Sequence, residues 1–252
     1  MFCKITMTYQ ELKNKIIHKW AKLRLAPIRV FCLHHVCEHF DAESMHDGDW
    51  IALDEFKQKI LAMQQAGVQF ISLLEAHRLL KATSTPYTLH STLFRFRKYA
   101  VLTFDDGYAS LKDVLPWLKE QGIPATLFIN GKYLDGVSYR ENPNEKYLTK
   151  HDLDKIAQEY PLITIGHHGW EHTDAWKMDE VASIDSVEKN VAALSNMPNY
   201  IPFWAYTWGH YGRFVHRELR KRDVIPVFVD GAVNYNDVNC IHRELIDNYK
   251  LC

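Results

Sequence analysis

The chain has 252 residues, 47% of them hydrophobic, with 30 Lys plus Arg against 31 Asp plus Glu and a formal net charge of -1. That length allows one large α/β domain with a sizeable core, and the balanced charge excludes the electrostatic footprint of a nucleic-acid or anionic-membrane binder, favouring a neutral substrate. No apolar stretch approaches the roughly 20 residues of a membrane span, and residues 1–27 show no apolar core with a small-residue cleavage site, so the expectation is a soluble, cytoplasmic chain.

Residues 8–23 carry Leu12, Ile16, Ile17, Trp20 and Leu23 at helical spacing, and Pro27 closes the segment. They predict an N-terminal helical segment over 1–27, packed on the body or sealing one end of it, with a single domain over 28–252. Short β-branched or aromatic runs follow near 28–33, 69–73, 99–104, 125–129, 162–165, 201–206 and 224–229. Helical patterns fall between them near 53–66, 75–82, 109–121, 150–159, 179–196 and 213–222, with Asp54 and Asp152 close to two of the starts. Such alternation specifies βαβ units and a mostly parallel sheet, closed into a barrel or left open.

The polar residues favour closure. His34 and His35 follow the first run, Asp105 and Asp106 the third, His167 and His168 the fifth, and Tyr206 the sixth. In a barrel those strand ends converge on one face, whereas an open sheet concentrates ligands at a single switch point. The prediction is an α/β fold, a distorted (β/α) barrel of about seven parallel strands with the extra N-terminal helix. Residues 83–98 and 133–148 fit neither period and are read as surface insertions that could line the substrate face.

Five cysteines, Cys3, Cys32, Cys37, Cys240 and Cys252, are odd in number and form no CxxC, which points to reduced thiols. Cys32, inside an apolar run, is expected to be a small buried apolar side chain.

Two motifs carry chemistry. In VLTFDDGYAS an apolar run ends in two acids and Gly107, so the two carboxylates point in different directions from a tight turn. One can bind a cation while its neighbour faces a water on that cation; alone, the pair also suits a helix cap. In LITIGHHGWEHTD, His168 and His172 are spaced to lie on one side of a helical turn and chelate a divalent ion, while His167 points elsewhere. Two imidazoles and a carboxylate with an open position form a hydrolytic metal site: zinc first, with iron, cobalt or nickel as alternatives.

TFDDG at 103–107 and HGWEH at 168–172, in that order and separation, resemble the polysaccharide deacetylase family of NodB-homology carbohydrate esterases, over about residues 28–243. The resemblance implies Asp105 as catalytic base and Asp106, His168 and His172 as metal ligands. FCLHHV at 31–36 is similar to the YH motif of the exopolysaccharide N-deacetylase subgroup, with Leu33 in place of Tyr, and implies His34 as general acid, with His210 as the next candidate. FWAYTWG at 203–209 resembles a YPYG-type motif, with Thr207 for Pro and Trp208 for the second Tyr, and so implies the Trp208 N–H as an oxyanion donor. IHRELID at 241–247 resembles a terminal LPRI stretch and implies that Arg243 pairs with Asp105 and keeps it ionised. Among the aromatic residues near the motifs, Trp170, Tyr206 and Trp208 are the candidate sugar contacts.

The function so implied is metal-dependent removal of an N-acetyl group from an amino sugar or glycan precursor. Two rivals stand beside it: an amidohydrolase acting on a non-sugar acyl amide, and a catalytically inactive carbohydrate-binding relative, the latter prompted by the altered YH and YPYG motifs. Neither a nucleic-acid partner nor a membrane span is expected, and the sequence leaves the oligomeric state open.

Overall fold

The computed structural model describes residues 28–43, 45, 49–83, 98–140, 142–231, 234 and 239–246. The predicted N-terminal helix and nearly all of the 83–98 stretch lie outside the described residues.

Strands β1 (Ile28–Leu33), β5 (Lys98–Phe104), β6 (Ala125–Ile129), β7 (Ile163–His167), β8 (Tyr200–Ala205), β9 (Ile225–Val229) and β10 (Ile241–Leu245) form a closed parallel ring, β1 meeting both β10 and β5. One edge of β5 is taken along its length by β1. Its other edge is shared in succession by β4 (Val68–Phe70), paired with Lys98–Ala100, and β6, paired with Leu102–Phe104. The ring therefore has seven strands, but its members differ from the predicted set: β4 is a short attachment and β10 completes the closure. A two-stranded parallel sheet, β2 (His35–Cys37) with β3 (Trp50–Ala52), lies beside it.

Helices α1 (Leu53–Gln65), α2 (Leu73–Thr83), α3 (Leu115–Glu120), α4 (Lys150–Glu159), α5 (Glu180–Leu194) and α6 (Arg213–Lys221) fall where the 3.6-residue pattern puts them, except that the 109–121 stretch opens with a 3₁₀ turn, Ala109–Asp113. Asp152 does mark a start: it and Thr149 form a reciprocal capping box on α4.

Both faces of β1, β5, β6, β7 and β8 are largely buried, which is why these strands read as apolar runs. Ile28, Val30, Val101, Phe128, Ile201, Phe203, Ala205, Val227 and Ile241 form one core, joined by Leu73, Ala76 and Leu80 of α2. The opposite strand faces, including Phe31, Leu102, Phe104, Leu127 and Ile165, pack on Phe56, Ile60, Leu115, Leu118, Leu153 and Ile156 of the surrounding helices. The first set is the barrel interior and the second its outer layer. Alternation along a strand then fixes which later residues point inward: Cys32 and His34 beyond Val30, Thr103 and Asp105 beyond Val101, His168 beyond Gly166, and Arg243 beyond Ile241.

Gly166 is where the interior is tightest. A Cβ there would lie 2.7 and 2.8 Å from the Phe128 ring and 3.0 Å from the Phe203 carbonyl oxygen.

Candidate active site

The TFDDG turn is built from two consecutive left-handed residues, Asp106 at φ 68° and Gly107 at φ 78°. The left-handed φ favours glycine at 107, and a β-carbon there would also press on the Ile129 Cδ1 methyl, 2.7 Å away. The turn sends the Asp105 side chain into the barrel and swings Asp106 across the top toward the loop after β7. Both carboxylates are buried.

That loop carries the two histidines, and here the structure corrects the sequence reading. Residues 168–172 are not a helical turn but an irregular bend with Gly169 at φ 86°. The bend is held by the Asn130 side-chain amide, which donates to the carbonyl oxygens of His168 at 2.6 Å and Gly169 at 3.3 Å. His168 and His172 both present Nε2 to Asp106 Oδ1, each at 3.3 Å. His167 turns to the outer layer, against Tyr200 and Asn190.

These three side chains fit a bound cation. His168 Nδ1 lies 3.0 Å from the carbonyl oxygen of Ala205; donating its proton there leaves Nε2 a bare acceptor. Asp106 Oδ1 is buried without a hydrogen-bond partner. A buried carboxylate oxygen thus meets two imidazole nitrogens with no cation between them, an arrangement that a divalent ion resolves. Burial opposes a charge on His168, yet the neighbouring Asp105 and Asp106 raise its pKa, so the spot attracts positive charge. Burial pushes His172 down to about 4, which keeps it a neutral donor at pH 7.

Asp105 stands beside this group, with Oδ2 3.9 Å from His168 Nε2. Arg243, fully buried, donates Nη1 to Oδ1 at 2.6 Å and Nη2 to Oδ2 at 2.7 Å. Nη1 also donates to Thr103 Oγ1, which in turn donates to the Phe31 carbonyl oxygen. Burial alone would raise the Asp105 pKa, but Arg243, with His168, brings it down to about 2. Cys32 is more than apolar filling: burial keeps its thiol protonated, and it donates to Asp105 Oδ2 at 3.4 Å. Cys32 and Cys37 are free thiols. His34, half-buried at the mouth, has a ring nitrogen within 4.8 Å of both the Cys32 sulfur and an Asp105 oxygen.

The remaining candidates separate. Trp208 is exposed, held at φ 59°, and donates Nε1–H to the His172 carbonyl oxygen, its indole 4.9 Å from that imidazole. Trp170 lays its indole over Gly131 and bonds its backbone to Ser186 and Lys132, partners that are none of the motif side chains. Tyr206 follows inward-facing Ala205 and so points outward: it is 1% exposed, stacked on Phe228 with its hydroxyl near His216, leaving no ring face for a sugar. His210 is exposed and paired with Asp174 at 3.1 Å.

Three contributors escaped sequence reasoning. Thr103 and Asn130 sit in strand-end positions that carried a weak signal. Arg140, whose Nη1 lies 3.3 Å from Asp106 Oδ2, comes from the irregular 133–148 stretch, where no period marks it.

The family model for polysaccharide deacetylase matches residues 95–224, just over half of the chain. The chain belongs to the polysaccharide deacetylase family. No curated protein matches this deacetylase-family chain. Among solved structures, IcaB from Ammonifex degensii superposes with a TM-score of 0.68 at 18% identity, covering 88% of this chain and 92% of that one. PplD from Streptococcus pyogenes, solved in complex with acetate, gives 0.69 at 19% identity, covering 88% and 93%. A de-N-acetylase from Aggregatibacter actinomycetemcomitans gives 0.64 at 15%, covering 89% and 97%. At these identities the likeness is one of fold.

Proposed function

We propose that the chain hydrolyses the N-acetyl group of an amino sugar or glycan precursor, releasing acetate, with one divalent ion held by Asp106, His168 and His172. The observation that carries this reading is the convergence of Asp106, His168 and His172 beside a carboxylate kept ionised by Arg243. The nitrogen and oxygen donor set suits zinc first, then iron, cobalt or nickel; such an ion would polarise the acetyl carbonyl and lower the pKa of a water.

The chain's own groups supply the proton transfers. Asp105, both of whose oxygens are held by Arg243, would accept a proton from the attacking water through Oδ2, the oxygen on the side of His168. His34, on the neighbouring strand end and within 4.8 Å of an Asp105 oxygen, is the group to protonate the departing amine. The Trp208 main-chain N–H is the candidate oxyanion donor, and its exposed indole supports a sugar contact more readily than buried Tyr206 does. The acetate bound in PplD is the product this reaction would release.

The test is acetate release from N-acetylglucosamine oligomers by the purified chain, with and without chelation and metal restoration. Chelation abolishes release and added Zn²⁺ restores it if the reading is right. Release from simple acyl amides but not from sugars would move the chain to a different substrate class.

A further inference from the structure

Asp106 turns one carboxylate oxygen to the two histidines; the other oxygen, Oδ2, faces Arg140. Nη1 of Arg140 lies 3.3 Å from Oδ2, donates to the Tyr108 hydroxyl at 2.7 Å and reaches the Tyr147 hydroxyl at 3.5 Å. Tyr147 in turn donates to Glu145 at 2.5 Å, and that same Glu145 oxygen is 3.8 Å from the guanidinium. The tyrosines are themselves fixed: Tyr108 stacks on His35 at 3.7 Å and on Tyr147 at 5.2 Å. The segment that delivers Arg140 is stitched to the DDG turn, through an antiparallel bridge between Tyr108 and Tyr147 and backbone bonds from Ala109 to Lys146 and from Leu148 to Gly107, both 2.8 Å.

We infer that Arg140 is a positioning residue for the metal ligand, locking the Asp106 carboxylate so that Oδ1 alone faces His168 and His172. The inference rests on the reading of those three residues as the ligand set. Asp106 is buried in a left-handed conformation, and a carboxylate there without Arg140 would be free to rotate and offer both oxygens or neither. Hydrogen-bond partners of a metal-ligating carboxylate are worth about 10- to 100-fold in metal affinity. The guanidinium charge works the other way, repelling a cation, but the Asp106 carboxylate lies between them and Glu145 sits against the same guanidinium. Orientation therefore outweighs repulsion.

The test measures Zn²⁺ affinity by competition with a chromophoric chelator, and the visible spectrum of the Co²⁺-loaded protein, for the wild type, Arg140→Gln, Arg140→Lys and Tyr108→Phe. Arg140→Gln should bind Zn²⁺ about tenfold or more weakly and shift the Co²⁺ bands, with Arg140→Lys recovering part of the loss. Tyr108→Phe, which removes the hydroxyl that accepts from Arg140 but keeps the ring, should move affinity the same way by a smaller factor. Affinity and Co²⁺ spectrum unchanged in Arg140→Gln overturn the inference; if that variant does not fold, an unchanged Tyr108→Phe overturns it instead. A wild type that binds no Zn²⁺, or an Asp106→Asn variant that binds as tightly as wild type, shows that the ligand set itself is wrong, and the inference falls with it.

Discussion

Arg243 meets Asp105 with both of its terminal nitrogens inside the barrel, at 2.6 and 2.7 Å. Strand alternation points both residues inward, and ring closure between β10 and β1 brings β10 within reach of β5 across the interior. Removing one member of such a pair leaves a buried charge uncompensated, at a cost of about 3–5 kcal/mol. Arg243→Ala should therefore lower the thermal unfolding temperature sharply, and Arg243→Lys, which keeps the charge but loses the fork, by less. Calorimetry of the two variants checks the order; equal, small shifts would mean that the pair contributes little.

The same pair sets an acid limb of stability. Burial would raise the Asp105 pKa, but Arg243 holds it at about 2, below its unfolded value near 3.9. A depressed carboxylate pKa adds stability that is full above the unfolded value and is lost as pH falls through the folded one. Urea midpoints should thus fall between pH 4 and pH 2, with this pair contributing about 2 kcal/mol to the change. Asp105→Asn should flatten that limb as well as lowering stability at pH 7.

Asp105→Asn also separates base from ligand. Zn²⁺ content should persist, because Asp106, His168 and His172 are untouched, while acetate release falls by a factor of about 10² to 10⁴. Loss of metal with residual turnover would exchange the roles of the two aspartates.

His34→Ala should leave metal content and fold intact and cut turnover about 100-fold or more, with the smallest loss on substrates whose amine leaves easily. No change in rate on any substrate would remove His34 as the acid and turn attention to His210.

Packing supplies an independent check on the barrel. Gly166→Ala pushes a methyl into the Phe128 ring and the Phe203 carbonyl and should cost about 1–3 kcal/mol. Combining it with Phe128→Leu should give back part of that loss in a double-mutant cycle. Simple additivity would mean that the two residues do not touch.

Most of the barrel was legible because buried parallel strands advertise themselves as apolar runs separated by helical periods. The same property hid which way each side chain points: IPFWAY is apolar on both faces, so nothing in it placed Tyr206 against the helices while Ala205 faces the interior. Strand β10 was missed as a strand because the inward residue after Ile241 is the buried Arg243 rather than a valine, and IHREL reads as polar. The HxxxH spacing picked out two histidines that do meet at Asp106, but a glycine bend held by Asn130, not a helical turn, brings them together. Arg140 was invisible because an irregular segment has no period; only the bridge between Tyr108 and Tyr147 carries it to Asp106.

We propose that Asp106, His168 and His172 share one divalent ion. A crystal structure of the Zn²⁺-treated protein, with data collected on both sides of the zinc absorption edge, tests it most directly. The expected result is one anomalous peak about 2.0–2.2 Å from Asp106 Oδ1 and from Nε2 of both histidines. A peak elsewhere, or none at full zinc occupancy in solution, would contradict it.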